Sequence, residues 1–173
     1  MREIPDPGFA GDDGSVSPEL AAALAAYDID PDARHAATLA VLQHARLLVP
    51  VVAVLGEVEY DEGPDGRSLV HDKTSDMATV LMRGRDGRNA LLAFTSTEAL
   101  RRWDPRARPV PVPATKAAEA AVQDDAAAML VDVAGPVMFV VETEDLHELA
   151  QGHTLVRVEG EVSAGYAWVR PGR

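Results

Sequence analysis

Short apolar runs, each about the length of a strand, recur along the chain between segments with helical periodicity. Runs of this length are typical of strands buried in a sheet, because most strands in globular proteins are short. The strand candidates lie at residues 47–55, 77–84, 88–95, 129–133, 137–141 and 154–162. The pattern predicts an α+β or layered α/β domain, in which helices pack on a mixed sheet of about five strands.

Helix start signals precede five segments between these runs. A Ser, Thr or Asp at such a position can accept a hydrogen bond from the first helical turn. The predicted caps are Ser17, Asp30, Thr95, Thr115 and Thr143. Thr95 is followed by Glu98 at capping-box spacing, so a short helix is expected to end near Trp103. The helix after Thr115 is Ala-rich and should reach about residue 128.

The central β-hairpin is the strongest local signal. Asp86-Gly87 lies between the apolar runs 77–84 and 88–95. An Asp-Gly pair favours a two-residue type I′ turn, whose central residues both need positive φ. The proline-rich stretch 108–114 should be extended, and it can form only an edge strand because proline has no N–H.

Composition sets the domain boundaries. The chain has 173 residues and is 47% hydrophobic, which is enough for one packed core. Residues 1–16 are rich in Gly, Pro and Asp and are expected to form a disordered N-terminal tail. We predict a single globular domain over 17–162, a long acidic loop over 56–76, and a C-terminal tail of unassigned order over 163–173.

The charge distribution is uneven. The net charge is −12, which disfavours binding to nucleic acid through the whole surface. The window 83–108 nevertheless has seven arginines against three carboxylates and carries +4, whereas the rest of the chain carries −16. These arginines can pair with acidic neighbours, or they can form a docking face for an acidic protein, peptide or small anion. The candidate binding residues are Arg83, Arg85, Arg88, Arg101, Arg102, Trp103, Arg106 and Arg108.

The hairpin and two further segments resemble the SseB N-terminal-domain family of bacterial proteins. One segment is 91–103, in which Phe94-Thr95-Ser96 precedes a helix that ends in Trp103, and the other is 130–136. The resemblance covers about residues 35–152. Two differences are Ala134-Gly135-Pro136, where relatives often have Asn-Pro, and the expected lack of the second domain of enterobacterial relatives.

What this resemblance implies about function is limited, because no settled reaction accompanies the domain. Its descriptions refer to a serine-sensitivity phenotype and to a name shared with a type III secretion protein. A sulfurtransferase that also shares the name needs a catalytic cysteine, and this chain has no cysteine. The motifs of the resemblance are structural rather than catalytic.

The leading functional hypothesis is a noncatalytic binding or regulatory module that docks an acidic partner or anion through the Arg-rich window. The chain has no phosphate-binding loop, no nucleophile-elbow serine and no histidines at metal-ligand spacing. We therefore assign no catalytic residue, metal or cofactor. The competing hypothesis is a small hydrolase or ligand-binding enzyme that uses the loop around Ser68, His71 and Asp72.

Two further expectations concern localisation and assembly. The N-terminus has no signal-like apolar segment, and no run approaches the length of a membrane span. We therefore expect a cytoplasmic protein that binds neither membrane nor nucleic acid. A homo-oligomer could form through an exposed strand edge.

Overall fold

The computed structural model describes residues 9–54, 76–161 and 163–172. The helices are α1 (Pro18–Ile29), α2 (Pro31–Leu42), α3 (Thr97–Trp103), α4 (Ala114–Gln123) and α5 (Thr143–Ala150). The strands are β1 (Arg46–Val54), β2 (Asp76–Thr79), β3 (Leu81–Arg83), β4 (Asn89–Ala93), β5 (Arg108–Pro113), β6 (Ala128–Val131), β7 (Phe139–Val141), β8 (Thr154–Val158) and β9 (Gly165–Val169). The α+β class predicted from the apolar pattern is confirmed.

The strands form three small sheets, whereas a single sheet of about five strands was expected. Their orders are β2-β1-β5, β3-β4-β6-β7 and β8-β9, and among these described strands β4 and β6 pair in parallel whereas the other pairs are antiparallel. The expected strand 77–84 divides at Val80, so its first part pairs with β1 and its second part with β4. Backbone hydrogen bonds of 2.8 Å in both directions between Leu48 and Phe94 join the two larger sheets.

Two apolar clusters form the core within the described residues. The larger one lies between the helices and the sheets, and four alanines of α4 are buried in it, which lets this helix approach the sheet closely. The smaller cluster consists of Leu48, Leu92, Phe94, Ala99 and Leu100, and it fixes α3 against β1 and β4. The orientation of α3 therefore depends on packing as well as on its cap.

Two of the five predicted caps are confirmed. The Ser17 hydroxyl accepts from the Leu20 N–H at 3.3 Å, and the Asp30 carboxylate accepts from the Ala33 N–H at 3.2 Å. Both contacts span three residues, so local sequence is enough to specify them.

The other three predicted caps are wrong. Ser96 caps α3 in place of Thr95, and it accepts from the Ala99 N–H at 3.1 Å. The hydroxyl of Thr95 is instead used in a contact with a distant residue, described below. The helices α4 and α5 begin at Ala114 and Thr143, and neither has a side-chain cap hydrogen bond. The Thr143 hydroxyl donates to the Ala127 carbonyl at 2.6 Å.

The hairpin between β3 and β4 is present, but its turn is not type I′. The Gly84 N–H donates to the Arg88 carbonyl at 2.8 Å, and the Gly87 N–H donates to the Gly84 carbonyl at 3.0 Å. Gly87 has φ +82°, whereas Asp86 has no positive φ. This pattern is a three-residue loop that ends in a left-handed glycine. The Asp86 carboxylate accepts from the Arg88 N–H at 3.1 Å, so a side chain within the loop also stabilises it.

Replacing Gly87 with Val should lower the free energy of unfolding by about 1–2 kcal/mol, because a β-branched residue is strained at positive φ. Urea denaturation followed by circular dichroism measures the change. Asn is the matched control, since it tolerates the left-handed region, and G87N should retain most of the stability. Equal stability of the Val variant and the wild type, or equal loss in both variants, would contradict the loop geometry.

Residues 9–16 and 163–172 contact the rest of the domain. In the expected N-terminal tail, Asp12 pairs with Arg46 at 2.7 Å, and the Gly14 carbonyl accepts from the Thr97 N–H at 2.8 Å. Residues 1–8 lie outside the described part. In the segment 163–173, β9 pairs with β8, and Trp168 donates to the Asp145 carboxylate at 3.1 Å. Residues distant in sequence hold the described parts of these segments in place. Composition alone did not indicate these contacts.

The outer edge of β5 has few hydrogen-bond donors. Pro109, Pro111 and Pro113 align with alternate residues of β1, so the N–H groups that reach β1 come from the intervening positions. The Leu48 N–H points to Phe94, away from Pro111, as this alternation requires. The exposed edge therefore presents proline nitrogens, which cannot donate to another strand. The expected homo-oligomer remains a prediction, and other strand edges are its better candidates.

Candidate functional site

The seven arginines of the predicted site are exposed and form two groups. The hairpin group consists of Arg83, Arg85 and Arg88, and the helix group consists of Arg101, Arg102, Arg106 and Arg108. One group precedes β4 and the other follows it. A five-residue strand spans on the order of 14 Å between its first and last residues, so β4 separates the groups. Arg102 and Arg88 line different clefts.

Three of these arginines form ion pairs with the three acidic residues of the same window. The pairs are Arg88–Asp86 at 2.6 Å, Arg102–Glu98 at 2.6 Å and Arg106–Asp104 at 3.6 Å. The arginine side chains are 48% to 92% exposed, so water screens each pair and the pairs contribute little to stability. The hydrogen bonds from Arg88 lower the pKa of Asp86. Local pairing, one of the two alternatives drawn from the sequence, is thus present for these three arginines, whereas docking of a partner stays a prediction.

Trp103 is half-buried and belongs to the smaller apolar cluster. Its ring centroid lies 5.6 Å from that of Phe94, with the planes tilted by 30°. Aromatic rings at this distance attract each other. The ring therefore holds the end of α3 on the sheet, beside the helix group.

A buried carboxylate that sequence analysis did not single out lies at the ends of β4 and β6. Asp132 is only 2% exposed. Its two oxygens accept from the Thr95 N–H at 2.8 Å and from the Thr95 hydroxyl at 2.6 Å. Burial raises the pKa of Asp132, although the hydrogen bonds from Thr95 oppose that change. Asp132 also has φ +55°, a conformation that Asp tolerates better than most residues.

The α1–α3 cleft opens above this pair and has a volume of about 250 Å³. Its buried lining residues are Leu24, Thr95, Ala99 and Asp132. Its remaining lining residues are Val16, Ala21, Ala25, Ser96, Glu98, Arg102, Pro136 and Val137. The cleft lies at the carboxyl ends of the parallel strands β4 and β6, a place where α/β proteins often bind ligands. It combines apolar walls with one buried acceptor group.

Sequence analysis placed both residues of this pair in local structure. It assigned Thr95 to a helix cap and Asp132 to the strand 129–133. The sequence did contain one signal, since Thr95 and Asp132 each follow an apolar run. The carboxyl ends of two neighbouring parallel strands lie at the same edge of a sheet, so residues that follow such strands lie close together. The parallel pairing of β4 and β6 was not predicted, so the signal could not be used.

The described residues bear on some of the remaining predictions and not on others. Ser68, His71 and Asp72, the centre of the competing enzyme hypothesis, lie outside them. Within residues 9–54, 76–161 and 163–172, no three His, Asp or Glu side chains are grouped as metal ligands would be. In the same ranges no helix combines the length and hydropathy needed to cross a bilayer, since the longest helices have 12 residues.

Comparison with known protein families identifies the family of this chain. Residues 20–148 match the family described as SseB protein N-terminal domain, which is about three quarters of the chain. No curated protein and no solved structure matches. The matched range includes the hairpin, the segment 91–103 and the block 130–136, so the resemblance inferred from those residues is confirmed. The chain belongs to the SseB N-terminal-domain family.

Proposed function

We propose that this domain is a noncatalytic binding module that docks an acidic segment of a partner protein through the helix group, Arg101, Arg102, Arg106 and Arg108. The observation that carries the proposal is the exposure of all four side chains on one short stretch of chain. Arg101 and Arg102 project from α3, which is anchored in the smaller cluster, whereas Arg106 lies in the turn after α3 and Arg108 begins β5. Rigid arginines suit carboxylates, since each guanidinium can donate two parallel hydrogen bonds.

The local ion pairs are compatible with docking. A guanidinium has five N–H donors, and the Arg102–Glu98 hydrogen bond uses one nitrogen of Arg102. The exposed pair is weak, so a partner carboxylate can add to it or displace Glu98 at little cost. We expect the contact to set association rate and specificity more than affinity, as exposed charges usually do.

The hairpin group provides a control with matched charge. It contains exposed arginines of the same window, but β4 separates it from the helix group. A partner that recognises only positive charge would respond equally to changes in either group. A partner that docks on α3 would respond to the helix group alone.

Replacing Arg101 and Arg102 with Glu should weaken binding of a fluorescein-labelled oligoglutamate peptide roughly tenfold, because two attractions become repulsions. Fluorescence anisotropy at two salt concentrations measures this change, and thermal unfolding checks that the variant folds. The control R83E/R85E makes the same charge change in the hairpin group and should stay within about twofold of wild type. Absence of binding to the wild type, or equal losses in both variants, would contradict the proposal. Equal binding of inorganic phosphate would indicate a small-anion site instead.

A further inference from the structure

We propose that the α1–α3 cleft binds a small molecule that carries an ammonium group on a short apolar body. The ammonium donates to the carboxylate of Asp132, and the apolar body lies against α1 and α3. Arg102 borders both this site and the docking surface proposed above, but the binding proposed here depends on the buried floor of the cleft.

Asp132 lines the cleft, and its carboxylate retains acceptor capacity. A carboxylate has about four acceptor positions, and Thr95 occupies one on each oxygen. An ammonium has three N–H donors and no acceptor, so it complements a group that only accepts. A neutral hydroxyl of the same size offers one donor and leaves the charge of the carboxylate uncompensated.

The charges around the cleft favour a cation. In the part of the chain that the structure describes, no Arg, Lys or His forms an ion pair with Asp132. A buried charge without a partner is costly, and a bound ammonium reduces that cost. At the rim, Arg102 is paired with Glu98, and the whole chain carries −12, which raises the local concentration of cations.

The size and walls of the cleft limit the apolar body. A volume of about 250 Å³ holds about eight groups the size of a water molecule, at about 30 Å³ each. This is below the usual range for drug-sized ligands, so a branched chain of a few carbons fits better than a ring system. The apolar walls are formed by Val16, Ala21, Leu24, Ala25, Ala99 and Val137.

The test uses 3-methylbutylamine as the probe and 3-methylbutanol as its neutral counterpart. Both are titrated into the full chain, and ¹H–¹⁵N correlation spectra are recorded. We expect saturable shifts at the amides of Thr95, Ser96 and Asp132, and at least tenfold weaker binding of the alcohol. Shifts spread over the acidic surface, no saturation, or equal binding of the alcohol would overturn the proposal.

Two variants extend the test. Asp132→Asn should weaken binding of the amine at least tenfold, because the charge is lost while an acceptor oxygen remains. Since that change can alter stability, Ala21→Leu fills the cleft without touching the carboxylate and should also weaken binding tenfold. Ala22→Leu is its matched control, because Ala22 is exposed on the same helix and does not line the cleft. Retained binding in both cleft variants would also overturn the proposal.

Discussion

Replacement of Asp132 with Ala is expected to lower the free energy of unfolding by about 2–4 kcal/mol. The change removes the acceptor for both the N–H and the hydroxyl of Thr95, which is itself buried. A buried donor without a partner costs about 1–3 kcal/mol, and the lost side chain also leaves a small void. Urea denaturation followed by circular dichroism gives the value. A loss below about 0.5 kcal/mol, typical of surface sites, would show that this pair does not join β4 to β6.

Asp132→Asn separates the charge of this residue from its hydrogen bonds. Asn keeps an oxygen that can accept from the Thr95 N–H, and it tolerates the positive φ of this position. Because burial raises the pKa of Asp132 above 3.8 in the folded state, the folded protein binds this proton more tightly than the unfolded chain. The stabilising effect of that proton is full below pH 3.8 and is lost as pH rises through the folded pKa.

The pH dependence of the two proteins should therefore differ in a defined direction. As pH rises above 3.8 and through the folded pKa, the stability of the wild type should fall relative to that of D132N, because only the wild type has a proton to lose at this position. Denaturation curves at several pH values measure the difference. Parallel pH profiles, or a wild type that gains stability relative to D132N with rising pH, would contradict a raised pKa.

Replacement of Gln43 with Leu is expected to cost about 2–4 kcal/mol and to loosen β8 and β9. Gln43 is 7% exposed, and its amide pairs with the backbone of Leu155. Its nitrogen donates to the Leu155 carbonyl and its oxygen accepts from the Leu155 N–H, both at 2.8 Å. The Gln43 side chain thus makes the two hydrogen bonds that a neighbouring strand would otherwise make with the backbone of Leu155. Leu at position 43 would leave the buried N–H and carbonyl of Leu155 without partners.

Hydrogen exchange of the β8 amides and urea denaturation measure this second effect. The Leu155 amide should exchange faster in Q43L, and the whole domain should lose stability. The adjacent, exposed His44 provides the control, and H44A should change stability by less than about 0.5 kcal/mol. Unchanged protection of Leu155 would show that other contacts hold the β8–β9 hairpin.

Much of the fold could be predicted because its signals are local. The Ser17 and Asp30 caps each involve a side chain and an N–H three residues later, so nothing distant competes with them. Thr95 shows how such a prediction fails. It has the right spacing for a cap, but Asp132 provides a charged, buried acceptor for its hydroxyl, and Ser96 takes over the cap. The choice between two adjacent hydroxyls therefore depended on a residue 37 positions away.

The candidate site was predicted in part. Charge counting identified the arginines of the window, and the structure shows their side chains to be accessible. It could not show that β4 separates them into two groups, because distance along a strand depends on where the strand begins and ends. Asp132 was missed because a single carboxylate after an apolar run has no distinctive pattern until its strand is paired.

The sequence by itself determined the α+β class, most helices and strands, the hairpin and the family, since these follow from periodicity, turn residues and short motifs. Only the tertiary structure decided the division into three sheets, the contacts of Gln43 with Leu155 and of Asp132 with Thr95, and the cleft above the Asp132–Thr95 pair. These features join residues far apart in the chain. Their formation depends on the strand partners that packing selects, and no local pattern encodes that selection.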